Sequence, residues 1–144
     1  MDLSRTSLPP RATELRVWVL RAGTELKDLR TAIRQELAAQ SPVPAWSTLE
    51  VVDNMVLVAT ELATNAIKHG LPPTTVRLLH TANLFVLDVA DDDLSTMPEL
   101  ATGRPADAGG HGLKLAGAFA TEIGWYLAQR TKHIWATFPR NTPS

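Results

Sequence analysis

The sequence predicts an α+β domain, a two-layer sandwich of a mostly antiparallel sheet with its helices collected on one face. Three observations lead there. Two pairs of short apolar runs, 74–80 with 84–90 and 123–128 with 132–138, are each joined by only a few residues, the spacing of hairpins. One apolar pattern, from about 48 to 68, repeats at the helical angle and is about 30 Å long, enough to cross a small sheet. The chain has 144 residues, 44% of them hydrophobic, which suits one domain with a real core. Adjacent hairpins favour antiparallel pairing and leave the helices to cover one side.

Each element has its own local reason. Residues 1–11 are polar with Pro9-Pro10 and read as a loose tail; the domain is expected over 12–139, with 140–144 as a second short tail. Residues 15–21 alternate and are β-branched, so they read as a strand. Thr24 followed by Lys27 is a weak helix start, and Leu26, Leu29, Ile33 and Leu37 continue at helical spacing to about Ala39. Pro42 and Pro44 forbid regular helix in the next segment.

Ser47 with Glu50 three residues on forms a capping box for the central helix. Gly70 and Pro72-Pro73 stop it. Its core arc is Val52, Met55, Val56, Ala59, Leu62, Ala63, Ala66 and Ile67, with Leu57 and Val58 expected towards the polar side. Ala82-Asn83 turns the first hairpin, and Asp91-Asp92-Asp93 ends it. Residues 94–111 show no period and carry Pro98, Gly103, Pro105, Gly109 and Gly110; a loop of that length in a small domain is usually functional or mobile. Residues 112–121 read as a helix packing through Leu113, Leu115, Ala116 and Phe119. Trp125 and Trp135 in the last hairpin read as core.

Composition excludes several functions. The net charge is −1 and no basic stripe stands out, so direct nucleic-acid binding is disfavoured. With no cysteine there is no disulfide framework and no thiolate zinc site. No apolar run approaches the roughly 20 residues of a membrane-spanning helix. The N-terminus lacks the apolar stretch of a signal peptide, so a cytoplasmic location is the default expectation.

The chemistry gathers on the central helix. Asn54, Glu61, Asn65 and Lys68 fall on one polar stripe, within about 60° of one another. Glu61 and Asn65 are one turn apart and can serve one ligand. Glu61-Leu62-x-x-Asn65-Ala66-x-x-His69-Gly70 resembles the N-box of the GHKL superfamily of histidine-kinase-like ATP-binding domains, which have the Bergerat fold. Within it, the chain is most similar to the small anti-sigma-factor serine-protein kinases. Val89-Ala90-Asp91 resembles the G1 box. Gly109-Gly110-His111-Gly112-Leu113 resembles the G2 box, a glycine-rich turn whose backbone approaches phosphates at a helix N-terminus. The last strand, 134–138, resembles the family's closing strand. The segments stand in family order across 15–138.

That resemblance implies a function. Asp91 would accept a hydrogen bond from the amino group of adenine. Asn65 would give its amide oxygen to Mg2+, which prefers hard oxygen ligands and keeps waters and phosphates. Glu61 would act as the catalytic base, orienting or deprotonating the attacking hydroxyl. Lys68, His69, Gly110, His111, Gly112 and Leu113 are the further nucleotide-binding candidates, and 94–111 would be the ATP lid. The implied protein is a regulator that holds a sigma factor and phosphorylates a serine on a STAS-type anti-sigma-factor antagonist, as a homodimer. Two alternatives stand beside it: a nucleotide-independent protein-binding module of the same fold, and a detached histidine-kinase catalytic domain.

The sequence departs from the family pattern twice. Asp93 stands where the G1 box has glycine, so three consecutive acids would face a triphosphate. Where the family commonly has a threonine supporting adenine recognition, this chain has Lys132 or His133, with Thr131 close by.

Overall fold

The computed structural model describes residues 8–40, 49–69, 72–93, 117–128 and 130–140, with the side chains of Leu49 and His69 left out. β1 (Thr13–Leu20) is followed by a 3-10 turn at Gly23–Glu25 and by α1 (Leu26–Gln40). Then come α2 (Leu49–His69), β2 (Thr74–His80), β3 (Leu84–Asp91), β4 (Glu122–Ala128) and β5 (Thr131–Pro139). The strands form one sheet in the order β1-β2-β3-β5-β4, every pair antiparallel. The fold is the expected α+β sandwich, with β3 at its centre.

Local chemistry starts and turns these elements. The Arg21 N–H donates to Glu25 Oε1 at 3.0 Å, so Glu25 closes the entry to α1 rather than the expected Thr24. The β2–β3 turn is built on Thr81. Its Oγ1 accepts the N–H groups of Asn83 and Leu84 at 3.2 and 3.0 Å, and its own N–H donates to the Leu84 carbonyl. The Ser47–Glu50 capping box and the Gly70 stop lie outside the described residues. The Pro72-Pro73 bond before β2 is cis.

Side chains alternate across the strands. Val76 and Leu78 of β2, Phe85, Leu87 and Val89 of β3, Ile123 and Trp125 of β4, and Ala136 and Phe138 of β5 join one buried cluster with the helices. From α1 it takes Leu29, Ile33 and Leu37, and from α2 the run of buried positions between Met55 and Ala66. Both helices therefore cover the same side of the sheet.

Two packing expectations are corrected. Val58 was expected towards the polar side, but it is 0% exposed. α2 packs against α1 as well as against β2, β3 and β5, so its buried arc is wider than a helix lying on a sheet alone would need. Leu57, next to it, does face outward. Phe119 was expected in the core but is 39% exposed. Helical geometry holds at 117–119 and stops there, and Ala120 takes the place against the core as the chain turns into β4.

The opposite face of the sheet holds a polar network. Asp88 of β3, 4% exposed, accepts a hydrogen bond from the Tyr126 hydroxyl at 2.8 Å through Oδ2. Its Oδ1 lies 2.7 Å from His133 Nδ1. His133 Nε2 lies 2.7 Å from Thr131 Oγ1, which also donates to the Ala128 carbonyl. The Tyr126 ring stacks on His133 with centroids 4.5 Å apart. Burial, and next the nearby Asp88 charge, push the Tyr126 phenol well above its ordinary pKa.

Candidate functional site

The site is positioned by topology. β2 begins beside the end of β3, with Thr75 opposite Ala90. Five Cα steps link His69, the last residue of α2, to Thr74, a span of at most about 18 Å. The C-terminal end of α2 is therefore tethered within that distance of the Asp91 end of the sheet. β5 also begins there, with Lys132 opposite Asp91. Thr121 is at the other end, its N–H bonded to the Thr137 carbonyl. Residues 94–116 connect these two ends and are outside the described residues.

Glu61 and Asn65 are both half-buried on α2. The neighbouring hydroxyls turn back into the helix: Thr60 Oγ1 donates to the Val56 carbonyl and Thr64 Oγ1 to that of Thr60, each at 2.7 Å. Lys68 is exposed in the last turn. The backbone of His69 ends α2; its side chain is outside the description. Gly110, His111, Gly112 and Leu113 also lie outside the described residues, as does the whole of 94–111.

Asp91 ends β3 on the helix-facing side, two residues after Val89. It is 5% exposed. Its Oδ1 accepts the Asp93 N–H at 2.7 Å, the side-chain-to-backbone turn that suits an aspartate at a strand end. Its Oδ2 lies 3.8 Å from Lys132 Nζ. Burial raises the carboxyl pKa above the ordinary 3.8; the Asp93 N–H and the Lys132 charge oppose that rise, and the Asp93 and Asp92 charges add to it. The residue that departs from the G1 pattern thus uses its backbone to hold Asp91.

The β3–β5 register also decides between Lys132 and His133. Lys132 shares the helix-facing side with Ile134 and stands across from Asp91. His133 points to the opposite face, into the Asp88 network. The structure thus brings Asp91 and Lys132 together, and Glu61 and Asn65 stand in the C-terminal half of the helix whose end is tethered to β2 beside them. Sequence reasoning gave Lys132 no role of its own, and it missed Asp88 and Tyr126. A signal for Asp88 was there: an acid inside the apolar run Leu84–Ala90 needs a buried partner.

Among the described residues no three His, Cys, Asp or Glu side chains gather into a metal cage. A single amide oxygen such as that of Asn65 fits Mg2+, which takes few protein ligands when phosphates and water supply the rest. Among the described residues no helix is long and apolar enough to cross a membrane. The sequence model of one family, described as histidine kinase-like ATPase domain, matches residues 22–138, most of the chain. No curated protein matches it.

Proposed function

Since the chain belongs to the histidine kinase-like ATPase domain family, we propose that it binds ATP with Mg2+ between α2 and the Asp91 end of the sheet and phosphorylates a serine on a partner protein. On this reading it is an anti-sigma-factor-type regulator. It holds a sigma factor, modifies a STAS-type antagonist and forms a homodimer. The observation that carries the reading is Asp91, a carboxylate 5% exposed at the end of β3, on the side that α2 covers.

Each residue then has a role. Asp91 accepts from the base amino group. Asn65 offers its amide oxygen to Mg2+, which neutralises phosphate charge when bound. Lys68 and His69, with Gly110, His111, Gly112 and Leu113, contact the nucleotide. Glu61 takes the serine proton as the hydroxyl oxygen bonds to the γ-phosphorus. The bond from that phosphorus to the bridging oxygen breaks, and ADP leaves. Partner exchange follows from different affinities of the ATP and ADP forms for the two partners.

A second reading is a nucleotide-independent binding module. The ion pair between Asp91 and Lys132 favours it, because it gives the buried carboxylate a protein partner without any base. Calorimetric titration with ATP, with and without Mg2+, separates the two. The kinase reading expects Mg2+-dependent binding that Asn65→Ala abolishes while circular dichroism stays unchanged. Absence of binding at millimolar ATP would leave only the second reading. Phosphoserine on an antagonist incubated with the protein and ATP is the further requirement of the first.

A further inference from the structure

Lys132 stands beside Asp91 with a chemistry that the roles above leave unused. The two side chains are 9% and 6% exposed, both on the helix-facing side, on adjacent strands. Nζ and Oδ2 are 3.8 Å apart, which is an ion pair but too long for a direct hydrogen bond. Asp91 Oδ1 is engaged by the Asp93 N–H, so Oδ2 is the oxygen turned to the lysine. An ammonium has three N–H donors, and one can reach a ligand while the others serve the protein. A fixed acceptor and a strong donor therefore sit side by side at the buried end of the candidate site.

We propose that Lys132 is a base-reading residue, and that Asp91 and Lys132 together clamp the N1–C6 edge of adenine. Asp91 Oδ2 accepts from the amino group on C6, and Lys132 Nζ donates to ring N1. The inference rests on the reading of Asp91 as the base-binding carboxylate. Adenine carries a donor on C6 where guanine carries an acceptor. At N1 the order reverses, acceptor in adenine and N–H donor in guanine. In the same pose guanine would set its carbonyl oxygen against the carboxylate and its N–H against the ammonium. The pair thus selects adenine at two atoms. A hydrogen bond from a charged donor also holds its acceptor more strongly than a neutral hydroxyl would.

The test is titration of the full chain with ATP, GTP and 1-deaza-ATP, in which a C–H replaces N1. Loss of one charge-assisted hydrogen bond corresponds to about 10- to 100-fold in Kd. The wild-type protein is expected to bind 1-deaza-ATP weaker than ATP by that factor. Lys132→Met, which keeps the buried stem, is expected to bind the two equally. A merely structural lysine would not produce that difference, because N1 is the only atom changed. Equal wild-type affinity for ATP and 1-deaza-ATP overturns the role of Lys132 and leaves the proposed function standing. Tighter binding of GTP than of ATP overturns the edge assignment. Failure of the wild type to bind ATP at all sinks the proposed function and this inference with it. The wild-type comparison decides even where Lys132→Met does not fold.

Discussion

Tyr126→Phe isolates one bond of the network behind the sheet. The substitution keeps the ring, and with it the stack on His133 at 4.5 Å. It removes only the hydroxyl that donates to Asp88 Oδ2 at 2.8 Å. Asp88 is 4% exposed, so water replaces that donor poorly. A hydrogen bond to a charged group contributes about 1.5–3 kcal/mol. We therefore expect a loss of about 2 kcal/mol. At about 4 °C per kcal/mol for a domain of this size, Tm falls by about 8 °C. Urea melts of the wild type, Tyr126→Phe, Asp88→Asn and the double variant give the coupling between the two groups. A Tyr126→Phe midpoint unchanged from the wild type would refute the reasoning, since the bond would then contribute nothing net. pH supplies an independent check. Tyr126 is the only tyrosine, so phenolate absorbance reads it alone. Its folded pKa is raised, so the folded chain keeps a proton that the unfolded chain loses above about pH 10. The resulting stability is complete below pH 10 and is lost as pH rises towards the folded pKa.

The remaining predictions concern the candidate site. Glu61→Ala is expected to keep ATP affinity within about twofold and to lose phosphoryl transfer by about 100-fold or more, read as phosphoserine formed in a single turnover; a variant with wild-type transfer removes Glu61 from the role of base. ATP affinity is expected to fall on acidification, because ionised Asp91 accepts from the base amino group more strongly than its protonated form does. Its pKa is raised by burial, so the loss sets in above pH 3.8 while the fold persists, and calorimetry at descending pH follows it. A flat profile down to the acid unfolding of the protein would argue against Asp91 as the acceptor.

Much of this fold is legible in the sequence because single residues announce it. Apolar spacing gives α2, and the two short apolar runs give β2 and β3 to within a residue. What sequence does not carry is the order of the strands. β5 lies between β3 and β4, so Asp91 meets Lys132 across a seam that no local pattern encodes. Val58 was misplaced for a related reason. A helical wheel assumes one buried face, and α2 has α1 on it as well as the sheet. The candidate site was legible where it sits on one helix, as with Glu61 and Asn65. It was not legible where it depends on two strands distant in the chain.

The strand order also sets the cost of assembling the site. β2 and β3 are joined by the three residues 81–83, so their pairing is local. β1 reaches β2 only by closing a loop of 53 residues, 21–73, and β3 reaches β5 by closing one of 39, 92–130. Closure entropy grows as the logarithm of loop length, which makes each of these seams about 2.5 kcal/mol dearer than the hairpin. The Asp91–Lys132 pair lies on the second seam. Neither hairpin alone contains it, so a ligand held by that pair can be bound only by a chain whose central seam has already closed.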